Sequence, residues 1–140
     1  MMCVICRIVK GEIPSYKVYE DERTLAFLDI NPISNGHVLL VPKTHEQYVE
    51  DLSREYHDAL FESLRMIVRP IQDAMEAPAS NIAINNGSKA GQIIPHVHVH
   101  ILPRKDSKGN HLFSTAPRVT RKDRDYFEGI AEKIREKIRS

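Results

Sequence analysis

The chain lacks an excess of charge of either sign: 20 Lys and Arg stand against 19 Asp and Glu over 140 residues, a formal net charge of +1. A domain that holds nucleic acid normally carries a strong basic surplus to neutralise phosphates, so the balance argues against that class and for a small ligand. Long apolar runs are missing too. Runs such as Val38 to Val41 and Ile93 to Ile94 fall far short of the roughly 20 residues a membrane helix needs, so no bilayer span is expected. The first residues, Met1-Met2-Cys3-Val4-Ile5-Cys6-Arg7, meet a cation before any signal-type apolar stretch develops, which points to the cytoplasm. Cysteine is scarce, at two residues. In a reducing compartment Cys3 and Cys6 are poor disulfide candidates, and their C-x-x-C spacing reads as half a zinc site or as a redox pair.

What is present suits one packed domain over residues 1–140, with 41% hydrophobic and 28% charged residues. Tyr16 to Glu20 and Thr24 to Leu28 are β-rich runs around the charged turn Asp21-Glu22-Arg23, a hairpin signal. Asn31-Pro32 and Ser34-Asn35-Gly36 mark the next turn, and His37 to Val41 reads as a buried strand stopped by Pro42. From Ser53, a helix N-cap, Leu60, Leu64, Ile67, Val68, Ile71 and Met75 recur at helical spacing, with Pro70 expected to kink or interrupt the helix. Asn81 to Asn85 and His96 to Leu102 are the remaining strands. Residues 104–117 form a loop, and the apolar residues from Tyr126 to Ile138 give an amphipathic C-terminal helix over 122–139. Connections between the first strands are too short for crossover helices. The expected fold is therefore α+β: a five-stranded, mainly antiparallel sheet with a long central helix and a C-terminal helix on one side.

Chemistry concentrates in Pro95-His96-Val97-His98-Val99-His100-Ile101-Leu102-Pro103, where three histidines alternate with apolar residues. On a strand this sends the histidines to one face and Val97, Val99 and Ile101 to the core. Successive same-face residues lie ~6.6 to 6.8 Å apart, so His96 and His100 stand ~13 Å apart and cannot share one metal ion. The central His98 is the odd one out. A neutral imidazole held by its neighbours keeps one ring nitrogen as a nucleophile near neutral pH, and its adduct leaves readily, which suits two-step group transfer. Upstream, Asn85-Asn86-Gly87-Ser88-Lys89-Ala90-Gly91-Gln92 offers glycines and amide donors for an oxyanion or phosphate cradle, with an ordinary surface turn as the competing reading.

His96-Val97-His98-Val99-His100-Ile101-Leu102 resembles the signature His-φ-His-φ-His-φ-φ, φ being apolar, of the histidine triad (HIT) family of nucleotide hydrolases and transferases. Cys3-x-x-Cys6-Arg7-Ile8-Val9-x-Gly11-Glu12-Ile13-Pro14, Leu25 to Pro32, Gly36 to Lys43 with His45, and Gly91-Gln92 resemble the family pattern in the same order, covering residues 3–104. The resemblance implies that His98 attacks the α-phosphorus of a purine nucleotide substrate and forms a nucleotidyl-histidine that water hydrolyses. It places His100 at the phosphate and leaving group, and has His37 and Asn85 hold the phosphate and order the imidazoles, with Gly91 and Gln92 beside them. Asp29 would bind the ribose hydroxyls. Val4, Ile5, Ile8, Phe27 and Ile30 would wall the base pocket. Core packing competes with that role for the five apolar residues, and a turn competes for Asp29.

The same resemblance implies a structural Zn2+ held by Cys3, Cys6, His45 and His96, and a homodimer paired through the long helix and the strand beside it. Catalysis would need no metal. Ile93 departs from the pattern, since many members have Ser or Thr after the Gly-Gln pair and isoleucine donates no hydrogen bond to a leaving group. Leu102-Pro103-Arg104 keeps both main branches open, so the implied substrates are nucleoside phosphoramidates or, alternatively, diadenosine tri- and tetraphosphates. A nucleotide- or partner-binding module with vestigial activity, or a zinc-stabilised interaction domain, is the reading of another class. The complete set His37, Asn85, His96, His98 and His100 argues against both. His57 and His111 match nothing and are expected on the surface.

Overall fold

A computed structural model describes residues 3–107, 119 and 123–140. Its sheet has five strands in the order β1-β2-β3-β5-β4, namely β1 (Lys17–Glu20), β2 (Thr24–Leu28), β3 (Val38–Pro42), β4 (Ala79–Ala83) and β5 (Val99–Arg104), every neighbouring pair antiparallel. Among the described residues three α-helices complete it: α1 (Val4–Val9), α2 (Arg54–Ala74) and α3 (Arg124–Arg139). Among the described residues no helix is long and apolar enough to cross a membrane. Most of the loop expected over 104–117, and His111 within it, fall outside the described residues.

The hairpin turn forms because the Asp21 carboxylate accepts from the main-chain N–H groups of Arg23 (2.9 Å) and Thr24 (2.8 Å), an Asx-type turn. Ser53 caps α2, its hydroxyl accepting from Tyr56 N–H. Leu60, Ile67 and Ile71 of α2 and Phe127, Ala131 and Ile134 of α3 are buried with Ala26, Leu28, Val38, Leu40, Val97, Val99 and Ile101 in one cluster. Each fully buried Leu or Ile side chain there contributes about 1.5 to 3 kcal/mol, and this cluster fixes the sheet against its helices.

Several sequence expectations change. The long helix runs through Pro70 without a break; the proline removes a donor to the carbonyl of Met66, whose residue is exposed, so water can satisfy that group. Helices cover both faces, not one. Residues of α1 reach the opposite side, where Ile5 packs with Leu25, Phe27, Leu39 and Val41 and is flanked by Ile8, which is why β2 and β3 are buried at every position. The histidine strand begins at Val99, because Val97 N–H donates to Glu46 O (2.8 Å) beyond the end of β3 instead of joining the ladder. The chain stays alternating there, and Val97 and Val99 remain in the helix-side core. β4 also lies two residues earlier than expected, leaving Asn85 in the following loop.

Candidate functional site

On the face of the sheet that carries α1, β3 and β5 pair with Leu39 opposite His100. Side chains of one strand at period two share a face, so His37 joins Leu39 and His100 there. Gly36 makes the approach to His37 possible: it adopts φ +83°, and a Cβ on it would meet Met75 Cγ at 2.5 Å. A cleft of about 600 Å³ opens beside these residues, lined by Asp29, Asn31, Ile33, His37, Leu39, Asn85, Ala90, Gly91, Ile93, Ile94, His98 and His100. It is larger than the groove of about 340 Å³ between the end of α2 and α3 and of a size that holds a nucleotide-like ligand.

Hydrogen-bond partners settle the protons of four imidazoles, since a carbonyl only accepts and an N–H only donates. His98 Nδ1 lies 2.7 Å from His96 O. Its proton is therefore on Nδ1, and Nε2 carries a lone pair. His37 Nδ1 accepts from Ile33 N–H (3.2 Å), so His37 Nε2–H donates to His100 Nδ1 at 3.0 Å, leaving the His100 proton on Nε2. The rings of His98 and His100 stand edge to face with centroids 4.9 Å apart. Burial, followed by His98 and His37, drives the His100 pKa down to about 4. The ring is thus neutral at pH 7, as this chain of single protons requires. His98 itself is 7% exposed.

His96 faces elsewhere. Its Nε2–H donates to Pro42 O (2.9 Å), which leaves Nδ1 as a lone pair directed at Cys3 Sγ (3.4 Å) and Cys6 Sγ (3.5 Å). His45 Nδ1 lies 3.5 Å from Cys3 Sγ and 3.2 Å from Cys6 Sγ, and the two sulfurs are 3.3 Å apart with both thiols free. With Zn–S near ~2.3 Å and Zn–N near ~2.0 Å, a tetrahedral ion separates its donors by ~3.3 to 3.8 Å. The sulfur–nitrogen separations of 3.2 to 3.5 Å fit those spacings, and the two sulfurs at 3.3 Å stand about half an ångström inside theirs. They are soft sulfur and imidazole donors, and the Pro42 carbonyl fixes the tautomer of His96 as an outer partner does in zinc sites. The set could hold one such ion. It was only half legible as C-x-x-C, because His45 and His96 lie 39 to 93 residues away from the cysteines in sequence.

Asp29, His37, His98, His100, Asn85 and Gly91 therefore come together at one cleft. Gly91 takes φ +92°, a left-handed backbone that favours glycine, and its carbonyl accepts from Asn85 Nδ2 at 3.4 Å. Asp29 serves its turn as well, one oxygen accepting from Asn31 N–H (2.8 Å) while the other lies 3.7 Å from His37 Nε2. The Gln92 side chain is turned away from the cleft. Its Oε1 accepts from Gly87 N–H (2.8 Å) and its Nε2 donates to Gln47 O (3.0 Å), so it braces the loop. Ile5 and Phe27 are core residues, Ile8 packs beside them, and Val4 and the 61% exposed Ile30 sit on the surface. The apolar lining of the cleft comes instead from Leu39, Ile33, Ile93 and Ile94. Of the missed residues, Leu39 carried a signal, two positions from His37 on a strand; the main-chain roles of Ile33 and Pro42 carried none. His57 is exposed, as expected.

The family model described as HIT domain matches residues 10–107. A Bacillus subtilis (strain 168) relative named Protein hit is 47% identical over 102 residues, 73% of this chain and 70% of that protein. A Candida albicans relative named adenosine 5′-monophosphoramidase HNT1 is 32% identical over 140 residues, covering 97% of this chain and 91% of that protein. Among solved structures, a Zn-bound histidine triad family protein from Mycobacterium smegmatis superposes with a TM-score of 0.81 at 33% identity, covering 98% of this chain and 93% of that one.

Proposed function

This chain belongs to the HIT family, and from that premise we propose that it is a hydrolase of nucleotide conjugates that works through a covalent nucleotidyl-His98. The observation that carries the reading is the pinned tautomer of His98: its Nδ1–H is held by His96 O, and its Nε2 lone pair belongs to a ring that lines the cleft. Nε2 attacks the α-phosphorus, the P–Nε2 bond forms and the bond to the leaving group breaks. The positive charge that develops on the ring is stabilised through Nδ1–H···O at 2.7 Å. His100 presents Nε2–H to a phosphoryl oxygen, its proton held there through His37. Water then attacks phosphorus, the P–N bond breaks, and a nucleoside monophosphate leaves.

Purine nucleoside phosphoramidates are the favoured substrates, in keeping with the name of the Candida albicans relative. Ile93, 91% exposed at the cleft, gives the leaving group an apolar neighbour without a donor, and this keeps dinucleoside polyphosphates as the second reading. Turnover of adenosine phosphoramidate beside diadenosine tri- and tetraphosphate by one preparation decides between them. Asp29 takes the ribose, while Asn85 and Gly91 flank the phosphate. Cys3, Cys6, His45 and His96 hold a zinc ion whose part is structural: it ties α1 to the residues around β3 and the histidine segment, and catalysis passes through the imidazoles alone. The working form is a homodimer in the cytoplasm, for which exposed Phe61 and Met66 on α2 and Ile82 on the edge strand β4 offer apolar surface.

A further inference from the structure

The two cysteine sulfurs lie 3.3 Å apart, and a disulfide needs about 2.05 Å, so an approach of roughly 1.2 Å would join them. Both residues are partly exposed and His45 beside them is exposed, so a small oxidant in solution can reach the sulfurs. The imidazole that would lose its partners is that of His96, which is fully buried. That residue has a second duty, because its main-chain oxygen is the acceptor that orients His98. The adjoining Val97 N–H is bonded to Glu46 O, next to His45. Sulfurs, both imidazole arms and the nucleophile thus form one chain of direct contacts.

We propose that Cys3 and Cys6 are an oxidation site whose closure to a disulfide by a peroxide empties the four-donor cluster and releases His98 from its working orientation. The inference rests on the zinc reading given above. One thiolate attacks a peroxide oxygen, the O–O bond breaks, and a sulfenic acid and hydroxide form. The second thiolate attacks that sulfur, the S–S bond forms as the S–O bond breaks, and hydroxide leaves. The two sulfurs give up two electrons, the peroxide takes them, and the two protons released when the thiols ionised, held by the buffer, convert the two hydroxides to water. A disulfide is a neutral, weak donor, and two histidines alone do not close a structural zinc site. His96 Nδ1 is then left in a buried place without its metal partner while Pro42 O still holds the other side of the ring, so the backbone at residue 96 shifts to relieve the loss and moves the carbonyl that holds His98.

The test starts from the reduced full chain as purified, with its zinc measured by elemental analysis. Hydrogen peroxide is added, and four quantities are followed: zinc captured by a chromophoric chelator, free thiols, the His98 Nδ1–H resonance by 15N NMR, and turnover. One zinc per chain should appear in step with one disulfide, the hydrogen-bonded Nδ1–H resonance should disappear, and turnover should fall about tenfold or more, since a misplacement near 1 Å costs up to ~10²-fold. A thiol reductant with zinc should restore all four. Cys6→Ser should form no intramolecular disulfide; if that chain does not fold, the wild-type time course alone decides. A reduced chain without zinc at the outset rejects the zinc reading. Peroxide that releases no zinc from a loaded chain, or a disulfide that leaves the His98 resonance and turnover in place, overturns this inference.

Discussion

Replacing His98 with alanine separates a nucleophile from a binding residue. The ring is 7% exposed, so it supplies little of the surface that a bound nucleotide would touch, and affinity should stay within about tenfold of wild type. Turnover should collapse. Where a hydrolase works through a covalent intermediate, losing the nucleophile costs ~10⁶ in kcat, equivalent to about 8 kcal/mol of transition-state stabilisation. The substitution also orphans His96 O, which accepts from His98 Nδ1 at 2.7 Å in buried surroundings. An unsatisfied buried acceptor costs about 1 to 3 kcal/mol, or roughly 4 to 12 °C in Tm for a domain of this size. Assays must therefore run well below the lowered midpoint. Rapid quenching of the wild-type protein with adenosine phosphoramidate radiolabelled at phosphorus should trap label on His98, with an initial burst of released amine. His98→Ala should show neither burst nor label. Label on another residue, or more than about one per cent of wild-type turnover in a folded His98→Ala protein, would refute the role assigned to the ring.

Asp29→Ala should erase a preference for ribonucleotides over 2′-deoxynucleotides of about tenfold or more, because each charge-assisted hydrogen bond contributes ~1.5 to 3 kcal/mol. The turn bond from Asn31 N–H is lost for both substrates alike and cancels in the ratio of specificity constants; equal turnover of both by wild type would leave Asp29 as a turn residue. Stability should fall as pH drops from about 6.5 towards 4. The folded His100 pKa is pushed down to about 4 while the unfolded imidazole titrates near ~6.5, so the unfolded chain binds the extra proton in that window. Thermal melts should show the slope weakened in His100→Gln, and an unchanged slope would remove His100 as its source. Sedimentation at micromolar concentration should give about twice the chain mass of 16.0 kDa; a single-chain mass would contradict the dimer.

How much could be read from the chain depended on range. The two long helices, the β1–β2 hairpin and the alternation Val97, Val99, Ile101 against three histidines are patterns of neighbours, and periodicity reports them directly. The helix α1 was not foreseen. It has six residues, and its burial depends on Ile5 reaching a sheet face built from β2 and β3. At Pro70 the local rule allowed a kink or an interruption, and the helix is uninterrupted, its face of Leu60, Ile67 and Ile71 being buried on both sides of the proline.

By itself the sequence determined the fold class, the side of the backbone to which each histidine turns, and the identity of the residues available for chemistry, because side-chain direction follows a period of two or 3.6 whatever the tertiary context. Tertiary structure alone decided what each histidine does. His96 is turned to the cysteines by the Pro42 carbonyl, His98 keeps its proton on Nδ1 against the carbonyl of His96, and His100 is tied to His37 across 63 residues of sequence. Three chemically identical rings separate into three roles because an imidazole's proton goes to whichever nitrogen meets an acceptor, and those partners are main-chain and ring atoms that only folding brings within about 3 Å.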